Sequence, residues 1–201
     1  MIHIKSFVNR IFASNTYVIF CDDSNDVWLV DVGDTKSVID HLPPNSVVRG
    51  VFLTHTHFDH IYGLNELLRL SPDVFVYTNE CGKEGLLDAR KNMSFYHETP
   101  FVFEFPENIR IVNDGEEIEL SEGPKTQVIS TPGHHPSCLT YVVGDAIFTG
   151  DSYIPGTKVV TNLPKGNKKQ AQESLDKILQ LSRTHTVYPG HYIEESIVHI
   201  T

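Results

Sequence analysis

Short apolar stretches along the chain mark strands, with helical spacing in between. Ile2 to Val8, Thr16 to Cys21 and Val27 to Val32 read as strands. The Asp22-Asp23-Ser24-Asn25 cluster between the last two is a turn signal and predicts a hairpin. Thr35 to Leu42 reads as a short helix stopped by Pro43-Pro44, and Val48 to Thr54 as a strand. From Asp59 to Leu70 the spacing of Ile61, Leu64, Leu67 and Leu68 predicts a helix. Val74 to Tyr77 follows as a strand and Glu80 to Arg90 as a helix, while 91–108 shows no period. Ile109 to Val112 and Glu117 to Leu120 flank the Asp114-Gly115 turn as strands. Gln127 to Ser130, Leu139 to Val143 and Ala146 to Thr149 complete a second strand set. Asn167 caps a helix reaching Leu181, with Gln170 placed as in a capping box, and Thr186 to Tyr188 is a last strand. Strands, then helices, then the same order again predict an α+β fold with two sheets and helices outside them.

Length and charge narrow the picture. The 201 residues are enough for one domain over 1–201 that folds without disulfides or structural metal. A formal net charge of −10 argues against nucleic acid and against an anionic membrane surface as partners. Met1-Ile2-His3-Ile4-Lys5 does not open a signal peptide, and no apolar run is long enough to span a membrane. Cys21, Cys81 and Cys138 lack CxxC spacing, so three free thiols in a reducing, cytoplasmic setting are expected, with Cys138 as a small buried residue.

The chemistry starts at Thr54-His55-Thr56-His57-Phe58-Asp59-His60. His55 and His57 share one side of an extended segment, Asp59 continues that parity, and His60 swings elsewhere as the chain turns. Four metal-ligand side chains thus leave the carboxyl end of one strand, where loops commonly carry function. More histidines and aspartates follow other strands: Thr131-Pro132-Gly133-His134, Thr149-Gly150-Asp151 and Tyr188-Pro189-Gly190-His191.

Together with Val30-Asp31-Val32-Gly33-Asp34, these five motifs closely resemble those of the metallo-β-lactamase-fold superfamily. The resemblance implies a four-layer αββα sandwich with metals at the edge between the sheets. It also implies one metal on His55, His57 and His134, a second on Asp59, His60 and His191, and Asp151 bridging them. Imidazole and carboxylate without thiolate suit two zinc ions, with iron or manganese as alternatives. Open coordination positions are the mark of a catalytic rather than a structural site. Asp31 is expected to support the ligand loops.

The implied chemistry is hydrolysis, in which a metal-bridging hydroxide attacks a small-molecule substrate and Asp59 orients the nucleophile. The motifs contain no evident proton donor, which favours thioesters or esters over amides. Asp59, Asp151 and the Asn92-Met93-Ser94 stretch resemble the compact glyoxalase II-like branch, so hydroxyacyl-thioester hydrolysis leads. Two departures weaken a glutathione expectation. The chain stops ten residues after His191, without the carboxy-terminal helices of full-length glyoxalase II, and Pro136-Ser137-Cys138 replaces the usual Pro-Gly-Ser. Other readings are a mononuclear iron oxygenase resembling the persulfide dioxygenases, a lactonase, and a non-catalytic metal sensor. Residues 152–169 carry Lys158, Lys165, Lys168 and Lys169 and no acid, which would suit a lid for an anionic substrate as well as a solvated loop. Tyr153 and His135 are further substrate-contact candidates, while His97 lies outside every motif. The oligomeric state is not legible.

Overall fold

A computed structural model describes residues 1–22, 24–120 and 124–193. Six strands, β1 (Ile2–Val8), β2 (Asn15–Cys21), β3 (Asp26–Val30), β4 (Val47–Phe52), β5 (Phe75–Thr78) and β6 (Ile109–Ile111), form one sheet in chain order. β7 (Glu117–Glu119), β8 (Lys125–Ser130), β9 (Leu139–Val143), β10 (Ala146–Gly150) and β11 (Thr186–Pro189) form the other, in the order β11-β10-β9-β8-β7. β2 and β3 pair antiparallel, as the turn signal requires; Asp23 of that turn lies outside the described residues.

Alternation decides which layer each side chain joins. In β2 and β3, Tyr17, Ile19, Trp28 and Val30 face the second sheet and pack with Val128, Leu139, Tyr141 and Phe148. The neighbours Val18, Val27 and Leu29 face the other way. There they meet Val38 of α1 (Thr35–Ile39), Leu64, Leu67 and Leu68 of α2 (Leu64–Leu70) and Leu86 of α3 (Glu80–Leu86). The fourth helix, α4 (Lys168–Leu181), starts at Asn167, whose side chain accepts from the amides of Lys169 and Gln170. It docks on the segment after β8, where the Ser174 hydroxyl donates to the Pro132 carbonyl over 2.6 Å.

Two differences from the sequence expectations have one physical origin: backbone groups diverted to tertiary partners. The helix expected from Asp59 to Leu70 is instead a 3₁₀ turn, Phe58–His60, followed by α2. The Asp59 carbonyl accepts from Ser14 Oγ at 2.7 Å and the His60 carbonyl from the Val32 amide at 2.8 Å, leaving neither for a helical ladder. The helix expected to Arg90 stops at Leu86, because the Leu86 carbonyl takes the Phe103 amide at 2.8 Å. β3 ends at Val30 because Asp31 turns left-handed, at φ 54°. The Asp114-Gly115 turn joins strands of different sheets, since β6 pairs with β5 and β7 with β8.

Candidate metal centre

Strand ends supply the site. His55 and His57 follow β4, His134 follows β8, Asp151 follows β10 and His191 follows β11. Gly150, at φ +50°, sits where a Cβ would lie 2.5 Å from the Thr54 side chain, so β10 closes on β4 only with glycine there. At Gly190 a Cβ would lie 2.3 Å from Asp151 Oδ1, so this glycine leaves the carboxylate its space.

Most of the imidazoles have one nitrogen tied to the protein and the other turned inward. His60 Nδ1 is 2.8 Å from Asp31 Oδ2, His134 Nδ1 is 2.8 Å from the Val160 carbonyl, and His191 Nδ1 is 2.9 Å from the Phe12 carbonyl. His55 Nδ1 is 3.2 Å from Thr54 Oγ1. These contacts leave Nε2 of each ring facing the others. His57 is turned differently: its Nδ1 lies 2.9 Å from His134 Nε2. Donor atoms of His55, His57 and His134 gather within 4.8 Å of one another, and so do those of Asp59, His60 and His191.

Asp151 stands between these groups. Its Oδ2 is 3.4 Å from His134 Nε2 and 4.0 Å from His55 Nε2. Its Oδ1 is 3.5 Å from His60 Nε2 and 3.4 Å from His191 Nε2. Each carboxylate oxygen thus addresses a different histidine set. Asp31, His55 and His60 also form a close group, yet the Asp31 oxygens are engaged by the Thr54 amide at 2.7 Å, Thr54 Oγ1 at 2.6 Å and His60 Nδ1. Asp31 therefore orients His60 and the β4 end.

Burial costs these groups hydration that protein alone does not replace. His55 Nε2, His57 Nε2 and Asp151 Oδ1 are buried without a hydrogen-bond partner. Burial and neighbouring imidazoles push His55 well below its ordinary range and His57 down to about 3, so both rings are neutral and ready to donate lone pairs. Burial opposes ionisation of Asp151, but His191, His60 and His134 outweigh it and keep the carboxyl charged. Burial also opposes charge on His60, and the Asp59 and Asp31 carboxylates outweigh it, raising His60. The neutral rings of His55 and His57 beside the charged Asp151 carboxylate, with His55 Nε2 and Asp151 Oδ1 buried and unpartnered, fit divalent cations.

The centre opens into a cavity of about 400 Å³. Beside His57, Asp59, His134, Asp151 and His191, its walls are Phe12, Phe58, Met93, Tyr96, His97, Val160 and Leu163. Sequence reasoning missed these wall residues. Two signals were available: Phe12 is an aromatic in the turn between β1 and β2, and Met93 lies in the Asn92-Met93-Ser94 stretch.

The other candidates lie elsewhere. His135 is 3% exposed, with Nδ1 2.7 Å from Ser137 Oγ and its ring 5.0 Å from that of His57, so it backs the ligand loop. Tyr153 and Lys158 line a separate hollow of about 250 Å³ against α4. Lys165 is not among the cavity residues; it lies near His135 and Glu84. Cys138 is buried and unpaired, as expected. Among the described residues no helix is long and apolar enough to cross a membrane.

A histidine-aspartate cradle at the edge of a two-sheet sandwich defines a metal-binding protein of the αββα type. A profile of the metallo-beta-lactamase superfamily matches residues 9–191, and the chain belongs to that superfamily. It is 35% identical over 152 residues to the probable metallo-hydrolase YqgX of Bacillus subtilis (strain 168), covering 74% of this chain and 70% of that one. It is 33% identical over 168 residues to a hydroxyacylglutathione hydrolase of Shewanella baltica (strain OS185), covering 82% of this chain but 56% of that protein. Among solved structures, the BLEG-1 B3 metallo-beta-lactamase superposes with a TM-score of 0.85 at 25% identity, covering 95% of this chain and 92% of that one.

Proposed function

We propose that the protein is a metal-dependent hydrolase of small thioesters or esters. In this reading His55, His57 and His134 hold one divalent cation, Asp59, His60 and His191 hold a second, and Asp151 contacts both. The observation that carries it is the split of the two Asp151 oxygens between the two histidine sets. Bound cations of this kind supply Lewis acidity, polarising an acyl oxygen and acidifying water toward neutral pH.

The chain's own residues do the rest. Asp59 lines the cavity and in this reading would accept a hydrogen bond from the attacking water. Phe12, Met93 and Leu163 restrict solvent around the acyl group. Among the described residues of the cavity, Tyr96 and His97 are the proton-bearing groups outside the proposed ligand set. Neither has a carboxylate partner in the cavity wall, which favours a leaving group that needs little protonation, such as a thiolate with a conjugate acid near pKa 8.5. The kinship with a hydroxyacylglutathione hydrolase supports thioester cleavage.

The test is metal analysis of the purified protein together with thioester, ester and lactone hydrolysis. About two zinc equivalents per chain with thioester turnover is the expected result. One iron per chain with oxygen uptake would replace hydrolysis by the oxygenase reading.

A further inference from the structure

The cavity wall is apolar where the substrate must lie. Phe12 is 66% exposed, Tyr96 73% and Val160 45%, and all three border the metal centre with Met93 and Leu163. Scattered exposed apolar side chains are ordinary, but a contiguous set around a concave site marks what binds there. Among the described wall residues none is lysine or arginine.

Backbone geometry fixes where two of these side chains leave the chain. Phe12 and Met93 sit at φ 53° and 68°, the left-handed region that bulky residues avoid. Such strain persists only where the surroundings enforce it. For Phe12 they do: its carbonyl accepts from His191 Nδ1, and the next residue, Ala13, accepts from the Tyr192 amide at 2.9 Å. Met93 follows Asn92, whose buried side chain donates to the Gly85 and Phe101 carbonyls and accepts from the Ser94 amide. Val160 repeats the pattern, with its carbonyl on His134 Nδ1 and its side chain on the cavity. The residues that clamp ligand rings thus also present the apolar wall.

From this arrangement we infer that the substrate carries an apolar acyl group, seated on Phe12, Met93, Tyr96 and Leu163, on an uncharged carrier rather than an anionic one. The inference rests on the hydrolytic reading above. The acyl–sulfur bond breaks as an acyl–oxygen bond to water forms; the thiolate takes up a proton, and the apolar group leaves as its carboxylate. The hexanoyl chain is a matched probe, being uncharged and flexible.

The experiment uses the zinc-loaded full chain and N-acetylcysteamine thioesters of acetyl, butyryl and hexanoyl groups, beside the glutathione thioesters of the same acyls. kcat/KM is expected to climb with each methylene, up to about fourfold per group if burial is complete. The glutathione carrier should bring no gain. Tyr96→Ser and Met93→Ser should flatten the dependence on chain length, and Lys158→Glu should leave that dependence as it is. A flat profile, or a glutathione preference removed by Lys165→Glu, overturns the inference. If neither thioesters nor the matching esters turn over at all, the hydrolytic reading fails separately. Calorimetric titration with acetate, butyrate and hexanoate then decides the wall, and an affinity that does not grow with chain length refutes it.

Discussion

Asp31→Asn tests how the cradle is held. The Asp31 carboxylate accepts from the Thr54 amide, from Thr54 Oγ1 and from His60 Nδ1, at 2.7, 2.6 and 2.8 Å. An asparagine amide has one oxygen, so at least one of these bonds becomes a donor facing a donor. Asparagine tolerates the left-handed backbone at this position, φ 54°, so the change is confined to the side chain. A hydrogen bond to a charged group contributes about 1.5–3 kcal/mol. Changes to groups that orient ligand histidines weaken metal binding by roughly 10–100-fold, about 1.4–2.8 kcal/mol. The loss should fall more heavily on the cation held with His60, whose ring Asp31 contacts directly, than on the one held with His55, which Asp31 reaches only through Thr54. Chelator competition with zinc, read as a two-step isotherm, should show one strongly and one less weakened equivalent. Two equivalents at wild-type affinity would refute the reasoning.

Two further outcomes follow from buried groups. Asn92→Ala removes three buried hydrogen bonds, to the Gly85 and Phe101 carbonyls and the Ser94 amide. At roughly 1 kcal/mol each, and about 2–4 °C per kcal/mol for a chain of this size, the melting temperature should fall by roughly 6–12 °C in a thermal unfolding scan. Burial pushes the Cys138 thiol up to about 12. Disulfide-exchange titration at pH 8 should therefore count Cys21 and Cys81 quickly and Cys138 only on unfolding. The linked stability is fully present below about pH 8.5 and falls between there and about pH 12, where only the unfolded chain loses the proton. Cys138→Ala should flatten that alkaline decline in denaturant titrations.

Much of the fold was legible because it is written in local rules. The alternating run of β1, the short apolar runs of β9 and β10 and the Asn167 cap need no distant partner to be recognised. The candidate ligands were legible because each follows a strand whose end must lie at a sheet edge. Tertiary capture was not legible. Nothing local announces that Ser14 will take the Asp59 carbonyl and halt a helix with sound apolar spacing. The wall was hidden for the same reason: Phe12, Met93 and Leu163 come from separate irregular segments and meet only when the sheets close. The lysines of 152–169 left a lid and a solvated loop equally open, because charge along the chain says nothing about which side of a loop faces the cavity; Val160 and Leu163 of that stretch line it. His97 was passed over as an incidental histidine, yet its ring lies tilted, 4.7 Å from that of Phe58, in the wall.

The spread of donors from His55 to His191 also bears on how the protein matures. During synthesis the His55–His57–His134 triplet is complete well before β11 emerges, whereas the Asp59–His60 pair waits for His191. That last ring is aimed by the Phe12 carbonyl, from the turn between β1 and β2. Ions captured early would therefore enter one half of the cradle first. The second half would be assembled only when the β1–β2 turn and the end of β11 meet.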